Sequence, residues 1–337
     1  MRTIARVLPS PAGRGAGGEG ARARLALILA ILILTPTPAL ADLHTAWFAP
    51  RAAAFLQASQ PMAPAIESLC AASPEAATVA LEQARSQWLA SLAAWERLSA
   101  VAIGPVLERR AQRQIDFTPT RPRMIEKAVK AAPKTPADME LIGTPAKGFP
   151  ALEWLLWVKP IQPTSAECRY AAQLALEIGR EAQALAAARP AAQDPQAALS
   201  ELLNQWIGGL ERLRWASLEM PQRVAMTAAG KAVPDFPRKA SGAARLSWAA
   251  QWDALKSLAI GPDTLESALR GRGQEKAADA LAAAVRRADA ALAGLDGRDG
   301  DRVLAAGKTL ADLKRHAEGE VAPALGVNIG FSDSDGD

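Results

Sequence analysis

Leu81, Trp88 and Trp95 recur every seven residues, with Leu92 and Leu98 on neighbouring positions, and the run stops at Gly104-Pro105. A seven-residue apolar period ended by a Gly-Pro break marks one buried face of a helix. It argues against a strand, whose faces alternate at every second residue. The same kind of stripe returns behind Asp194-Pro195, where Leu199, Leu202, Leu203, Trp206, Leu210 and Leu213 line up after an N-cap and a proline at the first helical position. Thr164-Ser165-Ala166-Glu167 reads as a capping box that opens a helix to about Ala188. Ser73-Pro74 reads as the cap and first residue of the Trp88 helix. Gly297 and Gly319 are expected to close two later alanine-rich helices. The proline-rich stretch 118–150 reads as a connection with one helix, Met124 to Ala131. Alanine is abundant, Tyr occurs once and runs of β-branched residues are missing, so the expected fold class is all-α. Trp88, Trp95, Trp206, Trp215 and Trp252 are expected in the core.

One segment occurs twice. Trp95-x-x-Leu98-x-x-x-Ala102-Ile103-Gly104-Pro105 returns as Trp252-x-x-Leu255-x-x-x-Ala259-Ile260-Gly261-Pro262, always 157 residues later. Its physical reading is a duplication: two similar helical bundles, each with a Trp-bearing helix that ends at a Gly-Pro break. A boundary near 189–196 gives bundles over 42–190 and 191–337.

The first 41 residues have a different character. Arg2, Arg6, Arg14, Arg22 and Arg24 precede an apolar run from Leu25 to Leu34, and small residues follow at Ala39-Leu40-Ala41. This is the layout of a cleaved secretory signal, with cleavage expected before Asp42. The apolar run is too short for a comfortable membrane span, so no transmembrane segment is expected after cleavage. The whole chain carries 39 basic and 35 acidic side chains; without the leader's five Arg and one Glu, 34 of each remain. A neutral body with scattered aromatics gives no support to nucleic-acid binding. Export also bears on Cys70 and Cys168, the only two cysteines. In an oxidising compartment an even count points to pairing, and a Cys70–Cys168 disulfide closing a loop this long would stabilise by ~4–5 kcal/mol.

Gly148-Phe149-Pro150-Ala151-Leu152-Glu153-Trp154-Leu155-Leu156-Trp157 and the terminal Gly330-Phe331-Ser332-Asp333-Ser334-Asp335-Gly336-Asp337 resemble the two signature segments of the imelysin-like family. The resemblance covers about 47–337. It implies two helical-bundle domains packed face to face with the first signature near their interface, an exported protein, and in many members a link to bacterial iron uptake. In many members the first signature reads G-x-H-x-x-E, with the His and Glu proposed as metal ligands. Here Gly148 and Glu153 are kept, but Pro150 stands in the His position and has no side-chain donor.

Glu153 therefore has two readings: a buried helix-start acceptor, or a residue lining an interdomain cleft that touches a ligand or a metal. Asp138 and Glu140 precede it in a family-like segment and with Glu153 could form an acidic cluster suited to a hard cation such as iron. The tail, with Asp335 and Asp337, begins like a calcium loop but lacks the downstream Glu; the resemblance implies that it folds back onto the interface. The candidate ligand-binding set is Gly148, Glu153, Asp138, Glu140, Asp335 and Asp337, with Glu153 as the candidate metal ligand. His316 and Glu320, four apart, form a weaker pair.

Some family members carry a peptidase label. This chain has two His after the leader, His44 and His316, and neither H-E-x-x-H nor G-x-S-x-G occurs. The expectation is a periplasmic, non-catalytic ligand- or partner-binding protein, tied to iron or other metal acquisition, with envelope or iron-uptake proteins as partners. The sequence demands no cofactor. The competing readings are a metal-dependent peptidase-type enzyme and a scaffold for a cell-envelope assembly.

Overall fold

The computed structural model describes residues 39–189, 194–227 and 232–330. The leader lies almost wholly outside these residues, and the tail with Asp335 and Asp337 lies wholly outside them. Nine helices fill the first half of the described chain: α1 (Ala39–Ser59), α2 (Met62–Cys70), α3 (Ala77–Ser99), the short α4 (Pro105–Glu108) and α5 (Ala111–Ile115), α6 (Pro122–Ala131), α7 (Pro136–Glu140), α8 (Gly148–Glu153) and α9 (Ala166–Ala187). The second half adds α10 (Pro195–Glu211), α11 (Met220–Thr227), α12 (Ala244–Ala259), α13 (Leu265–Gly271), α14 (Glu275–Leu292), α15 (Gly300–His316) and α16 (Ala322–Ala324). Three stretches wind as wider π-helix: Trp154–Val158, Arg212–Glu219 and Ala317–Val321. No strand occurs among the described residues, and the fold is all-α. None of the described helices is long and apolar enough to cross a membrane.

The periodic faces seen in the sequence are the buried ones. Trp88, Leu92, Trp95 and Leu98 of α3 and Leu199, Leu202, Leu203, Trp206 and Leu210 of α10 are all buried. The large indoles of these two helices, Trp88, Trp95 and Trp206, each find an acceptor, as most buried N–H groups do, whereas the buried Trp248 N–H has none. Trp206 Nε1 donates to the Leu255 carbonyl at 2.8 Å, and Trp88 Nε1 to that of Phe149 at 3.3 Å. Helices α1, α2, α3 and α9 pack on one another, while α14 and α15 pair and α15 lies against Arg212–Glu219. α3 is covered by α1 and α2 and also by α12, so it is buried on more than one side. The buried apolar side chains form one continuous cluster from Leu43 to Val327.

The two copies of the Trp/Gly-Pro segment are neighbours, because α12 packs on α3. Their details match. Trp95 Nε1 donates to Asp116 and Trp252 Nε1 to Asp289, both at 2.8 Å. The Gly104 and Gly261 N–H groups each donate to a glutamate, Glu201 and Glu266.

Several boundaries differ from the sequence reading. α3 begins at Ala77, because Ser73–Ala76 first close a separate turn. Ser165, not Thr164, caps α9 by accepting from the Cys168 N–H at 3.0 Å; Thr164 instead takes φ 62° and donates its N–H to the Cys70 carbonyl. α14 stops at Leu292, before a positive-φ Gly294, so Gly297 falls in the following loop. Gly319 does not end a helix: burial of Ala317, Val321 and Ala322 carries the chain through it, and the turn comes at Gly326. The stretch 118–150 holds α7 and a 3₁₀ turn besides α6. Trp215 is 44% exposed, on the outer side of the π stretch. Cys70 and Cys168 are joined, Cα to Cα 5.6 Å, which staples the end of α2 to the first turn of α9.

Candidate functional site

Five separate stretches meet around a cavity of about 900 Å³. α3 contributes Glu96 and Ser99, and the α4–α5 region contributes Arg110, Gln112, Arg113 and Asp116. The π stretch adds Arg212, Ala216 and Ser217, the segment before α12 adds Arg238, and α12 adds Ser247 and Gln251. The volume suits a small-molecule ligand, whose pockets run to about 300–1,000 Å³. Most of these residues are polar or charged, and they come from both halves of the chain.

The floor of the cavity is a buried ion cluster. Arg238, its side chain 4% exposed, pairs with Asp116 and reaches Glu96 at 3.4 Å. The other Asp116 oxygen accepts from Trp95 Nε1 at 2.8 Å. Glu96 Oε1 accepts from Ser247 Oγ at 2.8 Å, and that hydroxyl accepts from Gln251 Nε2 at 3.0 Å. Arg212 donates to the carbonyls of Ser99 and Ala100. One turn earlier Gly209 lies so close to Ala100 that a Cβ there would fall 2.1 Å from its carbonyl oxygen. A bare glycine thus lets α10 approach and brings Arg212 into reach.

Burial sets the electrostatics. It pushes Glu96 above its ordinary value, with Arg238 pulling the other way. Burial also works against the charge of Arg238, but Asp116 and Glu96 more than compensate, and its proton is held more tightly than usual. Arg212 is drawn below its ordinary value by burial, against the pull of Glu96 and Asp116.

The signature segment supports this floor from behind. Gly148 has φ 67°, and a Cβ on it would lie 1.9 Å from the Ile115 carbonyl oxygen. Only glycine allows that approach, which seats the end of α5 next to Asp116. Phe149 is an aromatic hub, 6.1 Å from Trp88 and 6.5 Å from Trp95 between ring centroids. Pro150 is buried and is the third residue of α8. Glu153 is the sixth residue, at the junction with π-helix, so it is not in the first turn. It is 5% exposed, and its Oε1 accepts from the Ser241 N–H at 2.9 Å and from Ser241 Oγ at 2.7 Å. Glu153 is a buried acceptor that ties α8 to the segment carrying Arg238; it does not line the cavity.

Asp138 and Glu140 sit elsewhere. Asp138 closes the capping box of α7, accepting from the backbone N–H groups of Lys134 and Thr135 at 2.9 Å each. Those bonds, the Lys134 backbone first, hold its carboxyl below the usual range. It borders a second cavity of about 420 Å³ with Met124, Lys127 and Leu141, while Glu140 is exposed. His316 Nδ1, at the end of α15, lies 3.2 Å from Glu320 in the π stretch that follows.

Among the described residues no group of three or more His, Cys, Asp or Glu is placed to hold a metal ion. The donors at the site have other partners: Glu153 holds Ser241, Glu96 and Asp116 hold Arg238, and Pro150 offers none. A metal-ligand set for iron does not fit this arrangement.

The residues that sequence reasoning passed over are Glu96, Asp116, Arg212 and Arg238. One signal was present for each of two of them. Glu96 follows the first Trp of the repeated segment, and Arg212 breaks the apolar stripe just after Gly208-Gly209.

No curated protein is significantly similar to the chain. Among solved structures, an imelysin-like protein from Psychrobacter arcticum 273-4 superposes with a TM-score of 0.68 at 19% identity, covering 87% of this chain and 96% of that one. A provisionally named iron-regulated protein A precursor from Parabacteroides distasonis ATCC 8503 gives 0.67 at 13% identity, covering 86% and 96%. At these identities the likeness is one of fold. The imelysin family model, which carries the peptidase M75 label, matches residues 48–322. With most of its length matched, the chain belongs to the imelysin family.

Proposed function

We propose that this chain is a non-catalytic binding protein of the periplasm or cell envelope, that its ligand occupies the cavity beside Arg238, and that its work belongs to iron or other metal acquisition. The cavity carries the reading: it is of ligand size and is lined by polar side chains held in place by a buried network. Such preorganisation favours binding, because little ordering remains to be done when the ligand arrives. A peptidase would need a free general base at the cavity, and both carboxylates there are engaged by Arg238. The link to acquisition rests on the family resemblance and on the name of the Parabacteroides neighbour. Export rests on the signal-like leader. The halves 42–190 and 191–337 are read as duplicated bundles, a reading supported by the packing of α3 against α12. The partner that receives the ligand is read as an envelope or iron-uptake component.

Native mass spectrometry of the protein purified without added ligand tests the reading. The wild type is expected to carry a small molecule that the cavity-filling variant Ala216→Trp does not. Equal occupancy in both would place the ligand elsewhere. Peptide turnover by the purified protein, abolished by Glu96→Gln, would overturn the non-catalytic part.

A further inference from the structure

We infer that the cavity takes an oxyanion, a small carboxylate- or phosphate-bearing molecule either free or wrapped around a metal, and not a bare cation. The inference rests on the ligand-binding reading above and adds the chemical class of the ligand.

The lining carries four guanidinium groups, on Arg110, Arg113, Arg212 and Arg238, against two carboxylates, Glu96 and Asp116. Both carboxylates belong to Arg238. Arg110 and Arg113 have no carboxylate partner among the described residues, and Arg212 meets Glu96 and Asp116 only through their field, with no direct bond to either. Arg212 donates only to the Ser99 and Ala100 carbonyls. Arg110 and Arg113 are exposed at the rim. The lining charge is therefore two units positive, and the unpaired part of it is entirely cationic. Guanidinium groups are planar forks that match carboxylate and phosphate oxygens in pairs, and three of them around one cavity suit a compact polyanion.

The backbone fixes where the rim arginine starts. Arg110 sits at φ 51° and ψ 41°, between α4 and α5, in the left-handed region that non-glycine residues rarely occupy. It is the turn that closes α4, with the Arg110 N–H donating to the Leu107 carbonyl at 2.8 Å. Here it holds a rim arginine over the cavity.

A bare cation meets the opposite situation. It would face the free guanidinium groups of Arg110 and Arg113, and to reach Glu96 or Asp116 it would have to displace the buried Arg238. Metal carried as an anionic chelate meets no such barrier, which reconciles the absence of a fitting donor set with a role in acquisition.

Calorimetric titration of the disulfide-intact protein with citrate, inorganic phosphate, ferric citrate and zinc ion alone tests the inference. The variants are Arg110→Gln with Arg113→Gln, both exposed and expected to fold normally, and Arg212→Lys. At least one anion is expected to saturate the wild type. Its affinity should fall roughly tenfold or more in the double variant, with an unchanged melting temperature, and should weaken with added salt. Phosphate binding above citrate assigns the phosphate class. Ferric citrate binding above citrate assigns the chelate. The inference is overturned if no anion saturates the protein, if the double variant binds the anion as well as the wild type, or if zinc alone binds and does so more tightly once the arginines are gone. An uncharged molecule lost on Ala216→Trp would overturn the anion class and leave the binding reading intact. A cavity plug with no effect on any ligand would sink both.

Discussion

Arg238→Met is the sharpest test of how the site is held together. The residue has φ 65°, and methionine is under the same backbone constraint, so the change isolates the charge. It leaves Asp116 and Glu96 without their cation in a place where Arg238 itself was 4% exposed. Removing one partner of a buried ion pair costs about 3–5 kcal/mol, because the remaining charge is stranded. In a chain of this size that is a fall of roughly 5–8 °C in melting temperature. The same reasoning sets a control. Arg238→Met combined with Glu96→Gln and Asp116→Asn removes the stranded charges, and should recover most of the loss. Acidification should also relieve the single variant, since a buried carboxylate that has lost its cation is best tolerated when protonated. Urea unfolding of the three proteins at pH 7 and of the single variant at pH 4 measures all of this. A loss below about 1 kcal/mol for Arg238→Met, or a triple variant no better than the single one, would refute the view of Arg238 as the keystone of the cluster.

Gly148→Ala should cost about 2–5 kcal/mol, since it combines a left-handed backbone with an overlap on the Ile115 carbonyl; chemical denaturation reads the loss, and a neutral result would mean that α5 can move away freely. Replacing Cys70 and Cys168 with Ser opens a loop with a sequence separation of 98 and should remove ~4–5 kcal/mol, with unfolding under reducing conditions as the parallel check. Burial raises Glu96 above the ordinary carboxylate value, so the folded state holds its proton more tightly than the unfolded one. Its contribution is therefore fully present below the unfolded value and is lost as pH rises through the folded value. The stability of the wild type relative to Glu96→Gln should fall as pH is raised from 4 towards 7, and a difference independent of pH would mean that Glu96 ionises normally.

The helices were legible where one side faces the core and the other faces water. α10 is the clearest example, with its cap at Asp194, its proline at the next position and its leucine stripe all in the places the sequence marks. Helix starts were less legible where a local turn competes, as at Ser73–Ala76. The site was legible only in its supports. Gly148 and Glu153 stood out through the family signature, and both act behind the cavity, one by yielding space and the other by holding Ser241. The charged floor was hidden for a physical reason. A glutamate in a helix ordinarily marks a solvated face, and Glu96 is buried only because α12 covers a second side of α3. Arg238 and Asp116 lie outside the helices, where no period exposes their burial. Arginines with no partner are silent in a sequence, since a lone positive charge there has the same appearance whether it borders water or a cavity.

The π stretch Arg212–Glu219 joins α10 to α11, so the chain runs as one rod from Pro195 to Thr227. A π turn takes in an extra residue, and the helix beyond it is rotated relative to the helix before it. Arg212 at one end faces the cavity, and Glu219 at the other is buried against Gly307 of α15 and paired with Arg214 and Arg223. The stretch therefore works as a phase coupler, letting a single rod serve two differently oriented neighbours. Removing one residue from it would turn everything downstream by about 100° while leaving composition and hydrophobicity almost untouched. For this segment residue count is itself information, and variants should be judged by length before chemistry.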